Sequence, residues 1–324
     1  MMKEVELCFP HLNTSCMKPK RPLSDTLLIY IVLSSISLLT ATLNLLVIIS
    51  ISHFKQLHTP TNLLILSLAV SDFFVSLLLM FQIMFIDGCW YLGNIVCVLY
   101  YVLASTITSS SVGTMVLISV DRYAAICDPL HYSTKVTPKR VRICVSVCWL
   151  LSLFGLSVML MNNLNQPGRY HACVGECVIV LNFRERVTDL ILTLIIPISV
   201  IIVLYMRVFV VAVSQARAMR SHIAAVIHKS SVSAKKSELK AARTLGVVIA
   251  VFLLCTCPYF CTTLVGELTM INTSSSAFVL CVFYFNSCLN PIIYALFYPW
   301  FRKSIKVVVT LQILKPGSSQ TNIP

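Results

Sequence analysis

The sequence predicts an all-α membrane protein: a seven-transmembrane helix bundle followed by a short amphipathic helix 8. Three observations carry this. Of 324 residues, 57% are hydrophobic and 11% charged, too little polar side chain to clothe a water-facing exterior. Seven apolar stretches approach or exceed the roughly 20 residues a helix needs to cross a bilayer. The basic residues crowd into alternate connections, as retention of Lys and Arg on one side of a membrane requires.

Residues 1–26 contain no apolar core, which argues against a cleaved signal peptide and leaves the first span to do the targeting. The spans then run Leu27 to Ile51, Leu63 to Ile86, Ile95 to Ile118, Val141 to Leu160, Val187 to Val211, Leu245 to Val265 and Ala277 to Leu296. The third is thinned by Thr106, Thr108, Ser109, Ser110 and Ser111, so it should face protein rather than lipid. The bundle occupies 27–298 and helix 8 occupies 299–310. Residues 311–324 read as a disordered tail. The longest inner connection, Ser214 to Lys240, reads as extensions of the fifth and sixth helices.

With the amino terminus outside, the inner side holds 18 of the 25 basic residues and only three acids, Asp121, Asp128 and Glu238. The outer side balances seven against seven. The +13 net charge therefore reflects topology and excludes a nucleic-acid partner. Six of the 14 cysteines fall outside, Cys8, Cys16, Cys89, Cys97, Cys173 and Cys177, an even set in an oxidising compartment. Asn13-Thr-Ser and Asn272-Thr-Ser are glycosylation sequons on that same side.

Two acids lie within spans, Asp72 and Asp189. A carboxylate at such depth is costly and reads as part of a site. No HExxH, GxSxG or phosphate-cradling glycine loop is present, which excludes the common enzyme motifs. An ion-coupled transporter would use the two acids as relays, but it predicts paired repeats, and none is evident.

Asp121-Arg122-Tyr123 stands at the inner end of the third span, and Asn290-Pro291-Ile292-Ile293-Tyr294 stands in the seventh. In this register the chain resembles the rhodopsin-like G-protein-coupled receptors, and Asn44, Asp72, Arg122, Trp149, Pro197, Pro258 and Pro291 match that family's most typical residue in each span. Asn286-Ser287, Tyr294, Tyr298, Trp300-Phe301 and the segment ISHFKQLHTPTN look like the trace amine-associated receptors, olfactory sensors of amines. The resemblance implies a plasma-membrane receptor for a small protonated amine, coupled to a heterotrimeric, stimulatory G protein that raises cyclic AMP.

It also implies roles. Asp121, Arg122 and Tyr123, with Tyr205, Asn290, Pro291 and Tyr294, would form the coupling switch. Glu238 would add a second carboxylate to an Arg122 lock near water, worth about 0 to 1 kcal/mol. Asp72, Ser111, Asn286 and Asn290, with Asn44, would form an allosteric sodium pocket; the alternative is a protonated Asp72 in a hydrogen-bond network. No other cofactor is implied. Cys97 would pair with Cys177, and Cys8 or Cys16 with Cys173, the other joining Cys89.

Aminergic receptors usually carry an aspartate seven positions after the first of these span cysteines, and here that position is Ala104. Asp189 then becomes the expected ammonium anchor, with Thr193, Ser105, Thr108 and Thr263 as polar neighbours and Tyr259, Phe260 and Tyr284 as aromatic walls. The alternative is that Asp189 caps its helix or pairs with Arg186. A monoamine is expected, its apolar end pointing towards the third and seventh helices, although Glu176 or Glu267 could serve a longer ligand. Two departures from the family stand out. Thr256 replaces the usual tryptophan of the sixth helix, leaving Phe252 and Tyr259 to transmit ligand movement, so a receptor that binds amine but signals weakly is the rival reading. No cysteine follows Cys288, so helix 8 must reach the membrane through Trp300, Phe301 and its basic face.

Overall fold

The computed structural model describes residues 6–18, 22–222, 246–247, 249–262 and 274–320. The described residues form helices joined by short connections: α1 (Leu23–His53), α2 (Pro60–Asp87), α3 (Gly93–Cys127), α4 (Pro129–Lys135), α5 (Pro138–Met159) and α6 (Met161–Asn165). Then follow α7 (Phe183–Leu190), a π-helical turn (Ile191–Ile195), α8 (Ile196–His222), α9 (Ile249–Thr262), α10 (Ser274–Phe297) and α11 (Pro299–Val309). Five long apolar units, α1, α2, α3, α5 and the α7–α8 run, are each long enough to cross a membrane.

Local chemistry sets the boundaries. Proline opens α2, α4, α5 and α11, where its missing N–H costs nothing and its fixed φ suits the first turn. Thr59 and Thr137 cap α2 and α5 by accepting from the N–H groups of Asn62 and Arg140, satisfying donors that would otherwise have no partner. Gly88, at φ +69°, ends α2 in the left-handed region, where a Cβ would be strained. The third span proves longer than its apolar stretch, so Asp121-Arg122-Tyr123 sits within α3 rather than beyond it.

α3 lies at the centre, touching α2, α4, α5, α6 and α8, and it buries Thr106, Ser110 and Ser119 against them. Trp149 of α5 docks by donating from its indole to Ser67 at 3.2 Å. A core of Ile51, Leu64, Leu68, Met115, Phe252 and Tyr294 fills the half of the bundle that carries Arg122. A second cluster, built on Trp90, Cys97, Tyr100 and Ile107, fills the half that carries the disulfides.

Three bridges close that end: Cys8–Cys89, Cys16–Cys173 and Cys97–Cys177. Backbone hydrogen bonds reinforce them. Cys16 donates to Val174 at 2.9 Å, Val174 to Thr14 at 2.8 Å and Trp90 to Gly175 at 2.7 Å. Gly175, at φ +101° and close against Phe9, takes a backbone conformation that other residues rarely adopt.

One expectation is corrected at the opposite end. Phe301 is fully buried in the bundle core, and Trp300 packs against that core and against Phe54 and Leu57. Phe301 therefore turns into the core rather than towards lipid, and both rings dock α11 onto the connection after α1, which presents an apolar seat. Beyond α11 the chain continues through single turns at Gln312–Leu314 and Ser318–Gln320. Ser318 Oγ lies 3.0 Å from His53 Nε2 and donates to Ile313 O.

Candidate functional site

At the Arg122 end, the guanidinium reaches back to its neighbour, with Nη2 2.5 Å and Nε 3.0 Å from Asp121 Oδ2. Thr61 of α2 donates to the same oxygen at 2.9 Å and also contacts Arg122, while Tyr132 of α4 donates to Asp121 Oδ1 at 2.7 Å. Burial, then the Asp121 carboxylate, pushes the Tyr132 phenol up to about 12, so it stays a donor at neutral pH. Asp121 is 2% exposed and Arg122 9%. This corrects the expectation of a weak pair near water: the pair is covered by α2 and α4, and buried pairs cost far more to break. Thr61 and Tyr132 went unread in the sequence, although Thr61 stands in the segment ISHFKQLHTPTN and Tyr132 follows Asp121-Arg122-Tyr123 by less than ten residues.

Tyr123 is 37% exposed, outside this network. Tyr205, Tyr294 and Tyr298 carry buried hydroxyls without a hydrogen-bond partner among the described residues, and Tyr205 and Tyr298 lie within electrostatic range of Arg122. Glu238 lies outside the described residues.

At mid-depth, Asn290 Nδ2 donates to Asp72 Oδ2 at 2.8 Å, joining α10 to α2. Asn44 donates to the backbone oxygens of Thr40 and Ser287. The oxygens Asn44 Oδ1, Asn286 Oδ1 and Asn290 Oδ1 are buried without hydrogen-bond partners among the described residues. A carboxylate beside such amide oxygens suits a hard cation. Ser111, expected among the ligands, donates to Ser71 Oγ at 2.7 Å. Pro291 sits inside α10 one residue on from Asn290.

Near the disulfide end, Asp189 is half-buried on the last turn of α7. Both alternatives for it lose their footing. Asn182 and Glu185 cap α7 through a capping box, and among the described residues Asp189 forms no ion pair. Thr193 donates to the Asp189 backbone oxygen at 2.6 Å. The π turn between Asp189 and Pro197 was not legible in the sequence, and its extra residue rotates Asp189 relative to an unbroken α-helix.

The Tyr259 phenol is an electrostatic neighbour of Asp189. Its ring meets Phe260 at 5.5 Å and Phe283 at 4.5 Å, and Phe283 meets Tyr284 at 5.3 Å. Thr108 donates to its own helix at Ala104 O, and Ser105 is half-buried. Thr263 and Asn272 lie outside the described residues, whereas Asn13 is exposed. Thr256 donates to Phe252 O at 2.6 Å, a bond within its own helix. The region between the third and seventh spans, expected to take an apolar ligand end, is not purely apolar: Gln82 Oε1 there accepts from both Tyr100 and Tyr284, at 3.0 and 3.3 Å.

Residues 43–294 match the model of the 7 transmembrane receptor (rhodopsin family). Over 98% of the chain and 96% of the relative, the sequence is 38% identical to trace amine-associated receptor 13c of Danio rerio. It is 37% identical to trace amine-associated receptor 6 of Homo sapiens, over 100% of the chain and 97% of that protein. The chain belongs to the trace amine-associated receptors.

A trace amine-associated receptor is a multi-pass membrane protein and not an enzyme, which also sets aside the transporter reading. The three disulfides resolve the pairing left open in the sequence: Cys16, not Cys8, bonds Cys173. Membership of the family implies an amine ligand and a G-protein partner.

Proposed function

We propose that this receptor binds a small protonated amine at Asp189 and signals through a stimulatory, olfactory-type G protein to raise cyclic AMP. The observation that carries the reading is the half-buried Asp189 carboxylate, which forms no ion pair among the described residues and lies within electrostatic range of Tyr259. An ammonium there gains a charge-assisted hydrogen bond, and the rings of Tyr259 and Phe260 offer it π faces. Activation is a population shift in which the amine binds the active arrangement more tightly and Arg122 is freed from Asp121. The disulfide end and Asn13 face the exterior, and the basic end faces the cytoplasm and its lipid headgroups. Asp72, Asn286 and Asn290 hold a sodium ion that favours the inactive arrangement.

A cyclic AMP reporter screened against an amine panel tests this, with wild type beside Asp189→Ala and Asp189→Glu. Loss of potency in Asp189→Ala with partial retention in Asp189→Glu is expected, and undiminished potency in Asp189→Ala overturns the anchor. The rival, amine binding with weak signalling, rests on Thr256, whose hydroxyl is spent within α9. It predicts ligand-dependent thermal stabilisation without a cyclic AMP response.

A further inference from the structure

Gln82 is a carboxamide 6% exposed inside an aromatic cluster, and its one carbonyl oxygen takes hydrogen bonds from two helices. Tyr100 of α3 and Tyr284 of α10 both donate to Oε1. The capacity left to the triad is the amide N–H groups and the phenolic lone pairs, a mixed donor and acceptor set. A row of aromatic groups leads from it towards the proposed anchor. Asp189 lies within electrostatic range of Tyr259, Tyr259 stacks on Phe283, Phe283 meets Tyr284, and Tyr284 bonds Gln82. Asp189 is the only acid in that row. Ala104, packed in the same cluster as Tyr284, brings no charge to the far end.

We propose that Gln82, with the hydroxyls of Tyr100 and Tyr284, is a specificity subsite for the far end of the ligand, selecting a neutral hydrogen-bonding group over a second ammonium. The inference rests on Asp189 as the anchor for the first ammonium. A hydroxyl can donate to a phenolic oxygen and accept from the amide, so it replaces its water contacts in kind. A second ammonium would be desolvated there with no counter-charge, which is expensive. A plain alkyl end leaves the internal bonds of the triad intact and gains nothing from it. The preferred ligand class is therefore an amino alcohol over an alkylamine or a diamine of equal length.

The test measures ligand-induced thermal stabilisation of the purified full-length receptor, which reads binding without signalling. Three probes of matched length are compared: an alkylamine, an amino alcohol and an α,ω-diamine. In wild type the amino alcohol binds about tenfold tighter than the alkylamine, the size of one net hydrogen bond. Gln82→Leu and Tyr284→Phe abolish that ratio, whereas Gln82→Glu improves the diamine about tenfold relative to the alkylamine. Ratios unchanged from wild type in the variants that fold overturn the subsite, and Tyr284→Phe, which removes only an oxygen, keeps the test decisive if the Gln82 variants do not fold. Asp189→Ala is run alongside. Undiminished binding of all three probes in that variant overturns the anchor, an outcome separate from any change in the Gln82 ratios.

Discussion

Asp121 holds Arg122 within 2.5 Å at an oxygen that Thr61 also occupies, while Tyr132 takes the other carboxylate oxygen. The latch therefore joins three elements, α2, α3 and α4, rather than two adjacent side chains. Both charges are buried, and each relies on the other for compensation.

Removing one partner of a buried pair costs about 3 to 5 kcal/mol. Asp121→Asn should therefore lower the melting temperature of the receptor and raise its ligand-independent signal, since Arg122 loses its restraint. Tyr132→Phe should do the same more weakly, by about 1 kcal/mol for one hydrogen bond. Basal cyclic AMP and thermal unfolding of the same preparations check both. A basal signal unchanged in Asp121→Asn would show that the pair is structural and not a switch.

Sodium should stabilise the receptor through Asp72. Thermal unfolding in sodium chloride is expected to exceed that in choline chloride at equal ionic strength, and the difference should vanish in Asp72→Asn. Asn290→Ala should weaken the effect, because it removes both an oxygen and the amide that bonds Asp72 Oδ2. A salt effect equal in wild type and Asp72→Asn would point instead to general screening.

α4 should depend on pH only in strong acid. Hydrogen bonds from Lys135 and His131 hold the Asp128 carboxyl down to about 2, below its ordinary 3.8. A depressed carboxyl contributes stability that is fully present above its unfolded value and fades as pH falls from about 4 towards 2. Asp128→Asn should lack that contribution at neutral pH and show no loss over that window, so the two profiles converge as pH falls towards 2. Acid titration of thermal unfolding separates the two profiles.

The Cys16–Cys173 bridge closes 157 residues of sequence separation and ties the amino-terminal segment to the loop before α7. Cys16→Ser, Cys173→Ser and the double variant should impair the amine response alike, because each removes the same bridge and a cross-link of this kind is worth about 2 to 5 kcal/mol. Cys8→Ser should match Cys89→Ser in the same way. Surface abundance measured beside dose-response curves distinguishes lost folding from lost ligand affinity. A double variant much worse than either single would contradict the pairing.

The sequence by itself determined the membrane setting, the spans and the family. Those follow from counts and one-dimensional order: apolar length, the bias of Lys and Arg, and motifs such as Asp121-Arg122-Tyr123 and Asn290-Pro291 in their spans. It also marked Asp72 and Asp189 as costly, since the expense of a buried charge depends on its surroundings along the chain. Tertiary structure decided the partners. Which cysteine faces Cys173, that Thr61 and Tyr132 close over Asp121, that Ser111 turns to Ser71, and that Phe301 enters the core all depend on how helices far apart in sequence meet. The π turn after Asp189 shows why phase alone is not enough: one extra residue in a turn rotates a side chain without altering the hydrophobic pattern. Gln82 was invisible for the same reason. Its significance comes from two tyrosine hydroxyls, one 18 and the other 202 residues away in sequence, which reach the same oxygen only after the bundle has packed.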